Sequence, residues 1–243
     1  MQSAKVRPPA VAGSFYSEDP HRLRAQVESL LADNPAAGVL RHKALIAPHA
    51  GYPYSGAVAA AAFAGLRACA REISRVVVIG PAHYVALRGI AVPTFDSFAT
   101  PLGAVPVDKD ALAAIAELPF LQMTLGAFAM VPLLVGDAGP QEVAQTLARL
   151  WGGAQTLIVI SSDLSHYHDY ETAKRLDAAT ASMIERGDWA QFGSRHACGF
   201  LPIAGALIET ARHGLSAHRF ALCNSGDTAG GRARVVGYGA WGF

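Results

Sequence analysis

The sequence predicts an α/β fold in which helices cover a sheet on both faces. Three observations predict it. Short apolar runs recur without polar alternation: Ala44-Leu45-Ile46-Ala47, Arg75-Val76-Val77-Val78-Ile79-Gly80, Met130-Val131-Pro132-Leu133-Leu134-Val135 and Thr156-Leu157-Ile158-Val159-Ile160. Strands buried on both faces read this way. Each run stops at a turn, and a helix-like segment follows several of them, the strand–helix rhythm of α/β proteins. The chain is 51% hydrophobic and 16% charged, against about 25% charged in an ordinary soluble domain, so it has ample material for a core and cannot be disordered in the main.

The elements follow in order. An extended arm carries Pro8-Pro9. Asp19 caps a helix with Pro20 at its first position, and Leu23, Val27, Leu30 and Leu31 form its apolar stripe. Asn34-Pro35 stops it. The first buried strand runs into Pro48-His49-Ala50-Gly51, with an alanine-rich helix from about Gly56. The second runs into Pro81-Ala82-His83-Tyr84. Gly89 to Val107, rich in Pro, Thr and Gly, reads as short strands joined by long turns. The third buried strand contains Pro132, which suits a strand end or an edge. It leads through Gly136-Asp137-Ala138-Gly139 to a helix with Val143, Leu147 and Leu150. The fourth ends at Ser161-Ser162-Asp163-Leu164-Ser165-His166, and a long helix follows Asp169. Phe220-Ala221-Leu222-Cys223 and Val235-Val236-Gly237-Tyr238 are two more strands around a glycine-rich loop. No composition break divides the chain, so residues 1–243 are expected to form a single domain.

Charge and cysteine usage narrow the function classes. Twenty basic and 19 acidic residues leave a formal charge of +1, without the basic stripe of a nucleic-acid binder. Cys69, Cys198 and Cys223 form no C-x-x-C pair, so neither a thiol redox motif nor a thiolate zinc cage is signalled. Their odd number suits a reducing compartment. The amino-terminal residues lack a signal-peptide core. The greasiest stretch, Ala57 to Leu66, is too short to span a bilayer. A cytoplasmic protein with no membrane and no nucleic-acid partner is expected.

Three apolar strands end within a few residues of a histidine: His49, His83 and His166. If these strands are parallel, their carboxyl ends share one edge of the sheet, where open α/β sheets bind ligands. Imidazoles gathered there hold a divalent metal or move protons. Asp163, three residues before His166, and Asp227, in the loop after another strand, are the carboxylates placed to join them. Tyr52, Tyr54, Tyr84 and Tyr167 are placed to line the crevice. Cys198 precedes a helix, where a thiol can have a lowered pKa; it is read first as a small buried residue, with a place at the site as the alternative. Ser161 and Ser162 lack a G-x-S-x-G elbow and are read as turn residues.

Several segments resemble the Memo family, whose bacterial members are called AmmeMemoRadiSam system protein B. They are Arg7-Pro8-Pro9-Ala10-Val11-Ala12-Gly13-Ser14-Phe15-Tyr16, Pro48-His49-Ala50-Gly51-Tyr52, Gly80-Pro81-Ala82-His83, Ser161-Ser162-Asp163-Leu164-Ser165-His166-Tyr167 and Val235-Val236-Gly237-Tyr238. The resemblance spans nearly the whole chain. It implies a three-layer α/β/α sandwich similar to the LigB-type class III extradiol dioxygenases, which are non-haem iron enzymes. It implies His49 and His83 as metal ligands, His166 as an acid–base residue and Asp163 as its neighbouring carboxylate. The third ligand position is assigned to Asp227, with Thr228 and Cys223 as nearby alternatives. One departure stands out: the acidic-His-Ser stretch usual before Leu-Pro-Phe is missing ahead of Leu118-Pro119-Phe120. The expected cofactor is a divalent metal, Fe(II) first, with copper or zinc as alternatives. Three functions follow: a metal-dependent oxygenase acting on a small aromatic or related substrate, a non-catalytic metal-binding partner of a radical SAM protein and an AMMECR-type protein, and a metal-dependent hydrolase.

Overall fold

Strands that are apolar on both faces need cover on both faces, and that requirement sets the architecture. The computed structural model describes residues 4–34, 41–83, 85–92, 94–108 and 116–243. Its strands are β1 (Val6–Arg7), β2 (Ala44–Ala47), β3 (Arg75–Pro81), β4 (Ile90–Ala91), β5 (Ser97–Thr100), β6 (Gly103–Pro106), β7 (Ala129–Val135), β8 (Thr156–Ser161), β9 (His166–His168), β10 (His218–Asn224) and β11 (Val235–Gly242). The helices are α1 (Pro20–Ala32), α2 (Tyr52–Phe63), α3 (Leu118–Leu125), α4 (Pro140–Leu150), α5 (Tyr170–Arg186) and α6 (Phe200–Arg212).

The main sheet has the order β10-β11-β2-β8-β3-β7-β4, with β9 attached to β11. β2, β8, β3 and β7 run parallel, in registers that set Ala47 beside Ser161 and Ile79 beside Ile160. Successive residues of these strands feed opposite cores. Leu45, Val76, Val78, Leu157 and Val159 pack with residues of α1, α2 and α3. Ile46, Val77, Ile79, Ile158 and Ile160 pack with residues of α4, α5 and α6. The result is a three-layer α/β/α sandwich, as the uninterrupted apolar runs predict. A small sheet, β1-β5-β6, anchors the amino-terminal arm.

Local signals explain most boundaries. The Asp19 side chain accepts from Arg22 N at 2.8 Å, with Pro20 opening α1. Leu23, Val27 and Leu31 of this helix are fully or almost fully buried, each contributing about 1.5–3 kcal/mol of transfer free energy. α2 begins at Tyr52, four residues before the expected start, because Pro53 sits in its first turn and Gly51 is its N-cap. Pro132 lies in the middle of β7 opposite Val78. Its missing N–H is tolerated because β4 pairs only with Leu134 and Val135, leaving that stretch of β7 as an edge among the described residues. Asp169 caps α5 and accepts from Thr172 N at 3.0 Å. Among the described residues, no helix is long and apolar enough to cross a membrane.

Candidate metal centre

The adjacency of β2, β8 and β3 brings their carboxyl ends together. His49 follows β2 by two residues, Asp163 follows β8 by two, and His83 follows β3 by two. Two further interactions fix their approach. His49 N donates to Asp163 Oδ1 at 2.9 Å, and Ser162 N donates to Ala47 O at 2.9 Å.

At this edge His49 Nε2 lies 3.3 Å from His83 Nε2 and 3.5 Å from Cys198 Sγ. Donor atoms of His49, His83 and Cys198 all fall within 4.8 Å of one another. Cys198 arrives from the loop that enters α6. Asp163 binds this loop from both sides: Cys198 N donates to Asp163 O at 3.2 Å, and Asp163 N donates to Cys198 Sγ at 3.3 Å. Gly199 permits the close approach. A Cβ there would stand 2.7 Å from Ser162 Cβ and Oγ, while the Gly199 N–H donates to Ser162 Oγ at 2.9 Å. Asp163, 4% exposed, therefore braces two of the three donors and keeps Oδ2 3.8 Å from His49 Nε2.

The electrostatics favour metal-ready donors. Burial raises a thiol's pKa, but hydrogen bonds from His49 and His83 and the charge on His49 bring Cys198 down to about 6. Burial works against a charged imidazole, but Asp163 and Cys198 outweigh it and raise His49 to about 10. Without metal the pair is a thiolate facing an imidazolium, and a bound cation would take the place of the imidazolium proton. The donor set fits a transition metal: two imidazoles and one thiolate, with a carboxylate behind them.

The other expected site residues do not join this donor group among the described residues. Asp227 is not among the donors within this reach. Its Oδ2 accepts from Asn224 N at 3.0 Å and its Oδ1 from Tyr170 Oη at 2.6 Å, completing a capping box on a short 3-10 turn. Thr228 Oγ1 donates to Ser225 O at 3.2 Å. Cys223 sits in β10 opposite Tyr238, its thiol pushed up to about 11 by burial. His166 opens β9, and its Nδ1 lies 2.8 Å from Leu164 O, so that nitrogen carries the proton. Tyr167 beside it adopts φ 65°, is 64% exposed and carries the Arg234 guanidinium over its ring at 5.0 Å. Tyr52 is buried and donates to Ala116 O at 3.0 Å, Tyr54 is exposed, and Tyr84 lies outside the described residues, as does the segment 109–115 just before α3.

Comparison with known proteins agrees with this arrangement of motifs. A family model described as Memo-like protein matches residues 7–118 and 116–241. A "MEMO1 family protein" of Aeropyrum pernix is 32% identical, covering 97% of this chain and 99% of its own length. A namesake in Aquifex aeolicus is 32% identical over 96% of this chain and 97% of its own, and one in Sulfolobus acidocaldarius 31% over 96% and 97%. The Aeropyrum alignment runs over 281 positions against a chain of 243 residues, so that relative carries residues this chain lacks. The chain belongs to the Memo family.

Proposed function

We propose that this protein is a metalloprotein holding one transition-metal ion on His49 Nε2, His83 Nε2 and Cys198 Sγ, and that the ion serves an oxygenase-type reaction on a small substrate. The observation that carries the metal reading is the meeting of donor atoms from three distant chain segments within 4.8 Å. A thiolate with two imidazoles favours borderline and soft ions, Fe(II), Zn(II) or Cu(I), over Mg(II) and Ca(II). Three protein donors leave coordination positions open, the arrangement of catalytic rather than closed structural centres. His83 is exposed, which supports access from solvent on that side.

The bound ion would supply the point at which substrate and oxygen are brought together. The chain's own residues do the rest. Asp163 orients the His49 main chain and the Cys198 loop through the hydrogen bonds given above. His166, its Nδ1 proton held on Leu164 O, keeps Nε2 as the atom that takes or gives a proton.

The test is metal content after anaerobic purification and reconstitution. Wild type is expected to hold about one ion, His49→Ala and His83→Ala to lose most of it, and Asp227→Asn to keep it. Equal content in wild type and both histidine variants overturns the metal reading. With Fe(II) loaded, oxygen consumption across a panel of catechols and related phenols tests the reaction. His166→Ala should keep its metal and lose that turnover, whereas loss of metal in His166→Ala means that the donors are misassigned.

A further inference from the structure

Among the described residues, Glu117 and Asp177 are the buried carboxylates with an oxygen that lacks a hydrogen-bond partner. Glu117 has a partner for neither oxygen. Asp177, on α5, leaves Oδ2 unpaired and gives Oδ1 to one main-chain group. It is 3% exposed, and a half-satisfied carboxylate in that setting is costly to keep. Burial raises its pKa, opposed first by the hydrogen bond from the Ser165 main chain.

That one bond reaches His166. Ser165 N donates to Asp177 Oδ1 at 3.0 Å. The same peptide unit carries the Leu164 carbonyl, which accepts from His166 Nδ1 at 2.8 Å. The unit is trans and planar, so its N–H and C=O point in opposite directions and rotate together. Fixing one end fixes the other. A carboxylate and an imidazole N–H are thus joined through a single amide dipole. The flanking peptides are held as well: Leu164 N donates to Gly237 O at 2.8 Å, and Gly237 N donates to Ser165 O at 2.8 Å. Gly237 also makes room for the carboxylate. A Cβ there would run into Asp177, nearest to Oδ2, so a glycine at this place in β11 lets the side chain lie beside the turn.

Charge adds to the geometry. A carboxylate accepts more strongly than a neutral carbonyl, and hydrogen bonds in a chain polarise one another. Asp177 therefore makes the Leu164 carbonyl a stronger acceptor for the imidazole proton. A free histidine side chain favours its proton on Nε2; here the proton is drawn to Nδ1.

We propose that Asp177 is a positioning residue for His166: through the Leu164–Ser165 peptide it holds the imidazole proton on Nδ1, so that Nε2 keeps its lone pair as the proton acceptor. The inference deepens the acid–base reading of His166 above and rests on it for its function.

The test is the His166 tautomer, read from long-range proton–nitrogen correlation spectra of the metal-free protein with isotope-labelled histidine. Spectra are taken at about pH 8, above the ordinary histidine pKa, and the signal is identified by its absence in His166→Gln. Wild type is expected to show mainly the Nδ1–H form. Asp177→Leu, which leaves Ser165 N–H without its acceptor, should make Nε2–H the major form. Asp177→Asn, whose carbonyl still accepts from Ser165 N, should retain Nδ1–H. A purely structural role for Asp177 gives the same tautomer in all three. The Nε2–H form in wild type, or the Nδ1–H form in Asp177→Leu, would overturn the proposal. Should Asp177→Leu not fold, Asp177→Asn decides. A neutral carbonyl accepts more weakly than a carboxylate, so the proton signals of Ser165 N–H and His166 Nδ1–H should both move upfield, and a His166 signal that stays in place overturns the proposal. Turnover that survives in His166→Ala would remove the acid–base reading and not the peptide relay, which the spectra decide alone.

Discussion

Replacing Cys198 with alanine is expected to lower metal affinity by more than 100-fold while leaving the fold intact. The sulfur is the only soft donor of the three, and in the metal-free protein it is held as a thiolate near neutral pH, its acidity brought to about 6 against the effect of burial by His49 and His83. Removing a direct donor should exceed the 10–100-fold losses seen when only supporting groups are changed. Cys198→Ser should bind almost as weakly, since a serine hydroxyl keeps its proton at neutral pH and is a harder donor. Apart from the Asp163 N–H bond to the sulfur, the hydrogen bonds of Asp163 and Ser161 to His49 are untouched, so far-UV dichroism should match wild type. Chelator competition with Zn(II) or Fe(II) gives the affinities. A loss of only a few-fold in both variants would take Cys198 out of the donor set.

Gly205→Ala should destabilise the protein by about 2 kcal/mol, although alanine favours helices. In an isolated helix this change gains about 1 kcal/mol. Here Gly205 is the point where α6 meets α4. A Cβ would stand 2.5 Å from Val143 Cβ, closer still to Val143 Cγ1, and 3.1 Å from Ala144 N. Rotating Val143 moves its methyl groups but not its Cβ, and the backbone of α4 lies directly behind, so the helices must separate. Overpacking of this kind costs about 1–3 kcal/mol, occasionally more, and the upper part of that range applies because backbone has to move. The net loss corresponds to a fall of about 4–8 °C in melting temperature for a chain of this size. α6 also begins two residues after Cys198, so its displacement should weaken metal binding in the same variant. A melting temperature at or above wild type would mean that the α4–α6 contact is looser than described.

The strands were legible because burial on both faces leaves a plain mark: Ile158, Val159 and Ile160 cannot alternate with polar residues when each face is covered. The histidine ends of β2 and β3 were legible for the same reason, since a polar ring just after an apolar run has few structural uses. Cys198 left a fainter mark. It comes from a loop before a helix rather than from a strand end, and its clearest signal was the adjoining Gly199, which lets the loop press against Ser162. Asp227 looked like a ligand because it lies in a loop after a strand. The local signal against that was Asn224 three residues earlier, the spacing of a capping box. Glu117 could not be read at all: an acidic residue just before a helix resembles an exposed dipole partner, and only the packing of α3 against α1 and α2 shows it to be buried. The α2 start was misplaced because alanines marked the helix more strongly than Pro53 marked its first turn.

X-ray absorption at the metal edge of the reconstituted protein tests the central claim most directly. The account predicts a coordination shell with one sulfur and two imidazole nitrogens, and loss of the sulfur contribution in Cys198→Ser. A shell of nitrogen and oxygen alone in wild type, unchanged by that substitution, would contradict it.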